Sequence, residues 1–241
     1  DNVVELENPA DLTHEAIYLD DPFILDSVLT LRYKNPIVHK NDLARKLTRS
    51  KFEKDEDSLQ KKAINDLLVE GNLKNIYAEL DKVCVGELEK ERTGKISFKT
   101  KNDKQELSIA NLSTGLKTFT IIKTLLQNGY LEEKGTIILD EPEIHLHPEW
   151  QLKFAELIVL LQKEFGMHIL LTTHSPYFLN AIEVFSERHK IDDKCKYYVA
   201  ENEGNSSIIK DVTGNTREIY RKLARPIQDL ENIRYSSDLD E

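Results

Sequence analysis

Two adjacent carboxylates, Asp140 and Glu141, close the apolar run Thr136-Ile137-Ile138-Leu139 and stand directly before Pro142. A pair of acids so placed can do phosphate chemistry. One carboxylate holds a divalent cation through water, and the next orients or deprotonates an attacking water. The run is bounded by Gly135 and Pro142 and reads as a strand buried on both faces. Proline cannot continue a ladder, so the acids fall at the strand's carboxyl end, where open α/β sheets place their ligands. Taken alone, two acids there could equally solvate the strand end or cap the following turn.

Two further clusters bear on that choice. Leu112-Ser113-Thr114-Gly115-Leu116-Lys117 precedes a stripe of Leu116, Phe119, Ile122, Leu125 and Leu126 at helical spacing. Ser113 is placed to cap that helix, with Gly115 in its first turn. The free amides and positive end of such a helix attract a phosphate. By itself the pattern is equally a plain serine-capped helix. Thr173-His174-Ser175-Pro176 closes a second apolar run, His168-Ile169-Leu170-Leu171. A different chemistry is open to His145 and His147, which with Glu143 could ligate zinc. Two histidines on one loop, with no further ligand close by, are thin support for that.

The elements that must position these groups follow from the pattern. Pro148 suits a first helical position, Trp150, Phe154, Leu157, Ile158 and Leu161 give a buried face, and Gly166 ends the helix. Strand, helix and parallel strand make a right-handed crossover. It would bring Asp140, Glu141 and His174 along one sheet edge. Upstream, 15–19 reads as a strand, Asp20-Asp21-Pro22 as a turn, and Phe23 to Tyr33 as a helix broken by Asn35-Pro36. Residues 59–68 and 73–80 carry helical periodicity. Arg45, Lys46, Arg49, Lys51 and Lys54 form a loose basic cluster that could touch phosphates, though a solvated helix face is the better reading. Residues 96–98 and 107–109 alternate as a hairpin around 101–104. After His174, 195–199 and 207–212 read as strands and 216–223 as a helix stopping near Pro226. Residues 236–241 read as an acidic, disordered tail.

Taken in order, these motifs resemble the ABC-type ATPases, in the soluble SMC-like form. Leu-Ser-x-Gly-x-Lys at 112–117 looks like the signature, Asp140-Glu141-Pro142 like a Walker B element, Glu143 to Pro148 like the D-loop segment, and His174 like the switch histidine. The resemblance covers about 96–198. It implies an α/β fold: a P-loop NTPase sheet with flanking helices and a helical insertion, its N-terminal phosphate-loop part missing. It divides the chain into the end of an N-terminal lobe (1–40), a helical insertion (41–92), a catalytic lobe (93–235) and the tail (236–241). It implies ATP and Mg2+ as cofactors, Asp140 on the metal, and Glu141 and His174 in catalysis. Ser113, Thr114, Gly115, Lys117 and His147 would contact nucleotide. Two heads would sandwich two nucleotides as a homodimer acting on or sensing DNA. Compact heads of this kind resemble the anti-phage ATPase subunits of Septu type, including retron-linked versions, which pair with an HNH nuclease. The alternative is a scaffold in which nucleotide sets assembly with little hydrolysis.

Composition bounds these readings. The chain has 241 residues, and its net charge of −10 argues against a uniformly basic nucleic-acid coat. Cys84 and Cys195 read as free thiols of a reducing, cytoplasmic compartment. No apolar run is long enough to suggest a membrane span. No Gly-x-x-x-x-Gly-Lys-Ser/Thr occurs: Gly86 and Gly94-Lys95 have the wrong spacing, and Ile96 has no hydroxyl for magnesium. The start at Asp1, with no initiator methionine, fits a fragment.

Overall fold

The short parallel strands β1 (Ala16–Leu19), β5 (Thr136–Asp140) and β6 (His168–Thr172) form one sheet in the order β1-β5-β6. The computed structural model describes residues 15–28, 38–51, 74–90, 96–100, 106–204 and 206–237. The parallel sheet is in continuous register, with Ile17 against Ile137 against Ile169, and Leu19 against Leu139 against Leu171. One face is therefore aliphatic, and Ile17, Leu19, Ile137 and Leu139 are buried on it. The other face carries Tyr18, Ile138, Leu170 and, at the carboxyl end, Asp140 beside Thr172. The expectation of burial on both faces is corrected here: burial alternates along β5, and Leu170 on β6 is 58% exposed.

A second, antiparallel sheet joins β2 (Gly86–Lys90), β3 (Ile96–Thr100) and β4 (Glu106–Leu107). The hairpin expected around 101–104 forms, with Phe98 against Leu107; its turn lies outside the described residues. Strand β2 falls within the segment expected to be helical. It is recruited by β3, with which all five of its residues are in register.

Helices α1 (Ile24–Val28), α2 (Val38–Thr48) and α3 (Lys74–Val83) come from the amino-terminal half. α2 runs through the expected boundary at 40/41, and the helix expected over 59–68 lies outside the described residues. α4 (Thr114–Gln127) and α5 (Pro148–Phe165) form the apolar centre. Phe119 of α4 meets Trp150 and Phe154 of α5 edge to face, with centroids 5.9 and 5.3 Å apart. Such pairs add about 0.5–1.5 kcal/mol beyond the area they bury. α5 ends as its sequence directs, at Gly166 with φ +61.

Among the described residues of this part of the chain, three lysines are buried. Lys123 donates to Asp81 and to the carbonyls of Cys84 and Gly86, tying the end of α3 and the start of β2 to α4. Lys46 pairs with Glu15 and Asp42. Lys117 pairs with Asp26. The basic cluster read as a solvated face is thus partly internal: Lys46 is 2% exposed, Arg45 pairs with Asp42, and Lys51 pairs with Glu132.

The chain divides after Thr173 into two compact units, 1–173 and 174–241. The second holds α6 (Pro176–His189), the antiparallel strands β7 (Tyr198–Glu203) and β8 (Ser206–Asp211), and α7 (Arg217–Ser237). Tyr220 of α7 donates to Glu183 of α6; burial first, then that bond, pushes its phenol up to about 12. α7 does not stop at Pro226, where the sequence places its end, but runs to Ser237. The proline removes one helical hydrogen bond, yet the stripe of Leu223, Ile227, Leu230 and Ile233 keeps helical spacing across it. Among the described residues no helix is long and apolar enough to cross a membrane. Both cysteines are free.

Candidate functional site

Asp140 is the last residue of β5, and both its oxygens are held by the flanking strands. Tyr18 of β1 donates to Oδ2 at 3.0 Å, and the Thr172 hydroxyl of β6 donates to Oδ1 at 2.5 Å. The bond to Asp140, followed by burial and the acid's charge, holds the Tyr18 phenol above its ordinary value, so it stays a donor at neutral pH. Both donors are neutral. They fix the carboxylate without cancelling its charge, and lone pairs remain for a hydrated cation.

The chain turns sharply at the next residue. Glu141 has φ +44, a conformation costly for a residue with a side chain. Its amide donates to the Thr172 carbonyl at 3.2 Å and to the Thr172 hydroxyl at 3.0 Å. Glu141 remains half-buried, while Pro142 and Glu143 are buried. The Glu143 carboxylate accepts from the Thr173 hydroxyl. His145 is exposed, its ring edge-on to Phe23 at 5.8 Å. His147 is exposed and starts α5 through its carbonyl, which accepts from Trp150 and Gln151. Among the described residues, no three His, Cys, Asp or Glu are grouped as a metal cage would need. One carboxylate and water are a donor set that suits Mg2+ completed by phosphate oxygens, and Asp140 fits that part.

The tip of α4 forms as its sequence indicates. Ser113 is the N-cap, its Oγ accepting from the Leu116 amide at 3.3 Å. Ser113 is exposed and Thr114 half-buried. The amides of Thr114 and Gly115 lie in the first turn, where no helical carbonyl precedes them. Two of the residues expected to contact phosphate are engaged within the fold. Gly115 is buried, and a Cβ there would stand 3.0 Å from the Trp150 ring and 3.2 Å from Leu146. The glycine lets α4 close on the start of α5. Lys117 is 2% exposed; its ammonium makes two 2.8 Å bonds to Asp26 and lies 5.0 Å from the Phe23 ring. It fastens α4 to α1.

His174 is exposed and opens the second unit, one residue before Ser175, which caps α6 by accepting from Phe178 at 3.2 Å. Asp140, Glu141, Ser113, Thr114, Gly115, Lys117 and His147 all belong to the first unit. Sequence reasoning passed over Tyr18, Thr172 and Thr173. Thr172 and Thr173 directly precede His174, but only the pairing of β5 with β6 shows what their hydroxyls serve.

An α/β unit with paired acids at the end of a parallel strand and a serine-capped helix tip has the parts of a nucleotide-hydrolysing domain. The chain belongs to the family described as "AAA domain, putative AbiEii toxin, Type IV TA system", whose model matches residues 16–180. Over 141 residues it is 28% identical to the Retron Vc95 probable ATPase of Vibrio cholerae serotype O1 biovar El Tor, covering 54% of this chain and 26% of that protein. Over 52 residues it is 42% identical to the Septu protein PtuA of Bacillus thuringiensis, covering 21% of this chain and 12% of that one. The matched stretches are thus minor fractions of these relatives. Among solved structures it is similar to the Smc head bound to the C-winged helix domain of ScpA, at 14% identity and a TM-score of 0.49, over 80% of this chain and 56% of that one.

Proposed function

We propose that this chain is the signature and Walker B part of an ATP-hydrolysing head that dimerises around nucleotide. The observation that carries the reading is the end of β5: Asp140 held through both oxygens by neutral donors, followed by Glu141 in a left-handed turn. Asp140 would hold a cation through water, and Glu141 would take the proton of the attacking water. Mg2+, when bound, supplies the positive charge that draws the phosphate oxygens into place. Ser113 and the first-turn amides at Thr114 would meet the partner head's γ-phosphate. Gly115 and Lys117 would set where that tip lies. His174 would sense the phosphate through its imidazole ring. His147 would face the dimer interface. In this reading 93–235 is the catalytic lobe and 41–92 an insertion.

The similarity to a retron ATPase and a Septu protein supports a place in anti-phage defence. A DNA target and an HNH nuclease subunit are the partners that reading expects. The test is Glu141→Gln in the full-length protein. ATP turnover should fall by about 10²–10⁴-fold, the range for losing a general base, while ATP-bound dimers accumulate on size exclusion. Turnover unchanged by the substitution would remove Glu141 from the chemistry and leave a nucleotide-gated scaffold.

A further inference from the structure

The turn from Asp140 to Glu143 is gripped at both ends by adjacent residues, Thr172 at the end of β6 and Thr173 just past it. Thr172 donates to Asp140, and Thr173 donates to Glu143. Between those two anchors stands Glu141, in the left-handed conformation. The Thr172 hydroxyl has a single proton, which goes to Asp140; toward the Glu141 amide it can only accept. One hydroxyl therefore sets both the direction of the metal-side carboxylate and the backbone of the residue after it.

We propose that Thr172 and Thr173 are positioning residues for hydrolysis, with Thr172 the principal one. The proposal rests on the reading of Asp140 and Glu141 given above. A left-handed backbone is unfavourable for a residue that carries a side chain. It persists where its surroundings over-determine it, and such strain marks places where a side chain must be aimed. The single Glu141 N–H, shared between the Thr172 carbonyl and hydroxyl, helps to hold it there. A lysine or arginine in place of Thr172 would hold Asp140 as firmly but would neutralise it. A hydroxyl leaves the charge available to a cation. Serine keeps these contacts; valine keeps the shape and loses them.

The test uses Thr172→Val, Thr172→Ser and Thr173→Val in the full-length protein, beside Glu141→Gln. Thr172→Val should lower kcat by about tenfold to a hundredfold, the scale of a misplaced reacting group. KM for ATP should stay within about threefold, since this hydroxyl is not assigned to nucleotide binding. Mn2+ affinity, read by electron paramagnetic resonance with a non-hydrolysable ATP analogue, should weaken in Thr172→Val. Thr172→Ser should restore kcat and Mn2+ affinity, and Thr173→Val should lower kcat less than Thr172→Val. If Glu141→Gln abolishes turnover while Thr172→Val matches the parent in kcat and Mn2+ affinity, this inference is wrong and the function stands. If Glu141→Gln leaves turnover intact, the function itself is wrong. Should Thr172→Val fail to fold, Thr172→Ser and Thr173→Val decide. Loss of kcat in the serine variant equal to loss of the whole contact, or no loss in Thr173→Val, would overturn the proposal.

Discussion

The acidic turn after β5 and the tip of α4 are both expected to handle phosphate, and they are built by opposite means. At the turn, the groups are held by hydrogen bonds with neutral partners: Tyr18 and Thr172 donate to Asp140, the Glu141 amide donates to the Thr172 hydroxyl, and Thr173 donates to Glu143. The backbone there is strained, and the side-chain partners there bring no charge of their own. At the tip, the motif residues are held by packing and by an ion pair: Gly115 under Trp150 and Leu146, Lys117 on Asp26. There the lysine's charge is already paired, and Ser113 is the exposed residue of the tip. A motif can thus mix groups that meet a ligand with groups that hold the motif still. Residue type does not separate them; burial does.

The largest effect on stability should come from the ion pair at the tip. Asp26→Asn leaves a buried ammonium without its counter-charge. Breaking a buried pair costs about 3–5 kcal/mol; Asp26 is 37% exposed, so solvent screening brings the expectation to about 2–3 kcal/mol. The urea midpoint would show it. Lys117→Met removes the charge along with its need for a partner and should lose less than half as much. If Lys117→Met instead leaves stability alone and weakens ATP binding, the lysine meets phosphate and the contrast between the two regions fails.

Gly115→Ala comes next. A helical Gly→Ala change ordinarily gains about 0.5–1 kcal/mol. Here the added Cβ meets Trp150 and Leu146 closer than an ordinary contact. Overpacking costs about 1–3 kcal/mol, so the net should be a loss of about 1 kcal/mol on thermal unfolding. Indole fluorescence should change with it, since Trp150 is the only tryptophan. A gain in stability with unchanged emission would mean that the glycine serves the ligand and not the helix contact.

These contrasts bear on what the sequence could disclose. β1, β5, β6, α4 and α5 were legible because short apolar runs and helical stripes report local burial. So was the Ser113 cap, which depends on a residue three positions on. β2 was not, because Gly86-Glu87-Leu88-Glu89-Lys90 has one strongly apolar residue and becomes a strand by pairing with β3. The employment of Lys117 and Tyr18 was hidden for a similar reason: their partners lie 91 and 122 residues away. Pro226 was read as a stop on local grounds, whereas the structure continues the helix. The motif order picked out the candidate residues, and only the strand register showed what holds them.

The smallest effect is the one that tests the strain directly. Glu141→Gly removes the side chain from a position where φ is +44. Glycine adopts that conformation freely, so the folded state should gain about 1 kcal/mol, less the greater freedom that glycine confers on the unfolded chain. The expected net is a slight stabilisation, at most about 1 kcal/mol, in a protein whose turnover is lost. Glu141→Gln keeps the strain and should leave the unfolding midpoint where it was. Comparing the two separates the cost of the backbone from the use of the carboxylate. If Glu141→Gly instead destabilises by more than about 1 kcal/mol, the side chain is itself a structural contact, and the turn is held by the same kind of packing as the tip of α4.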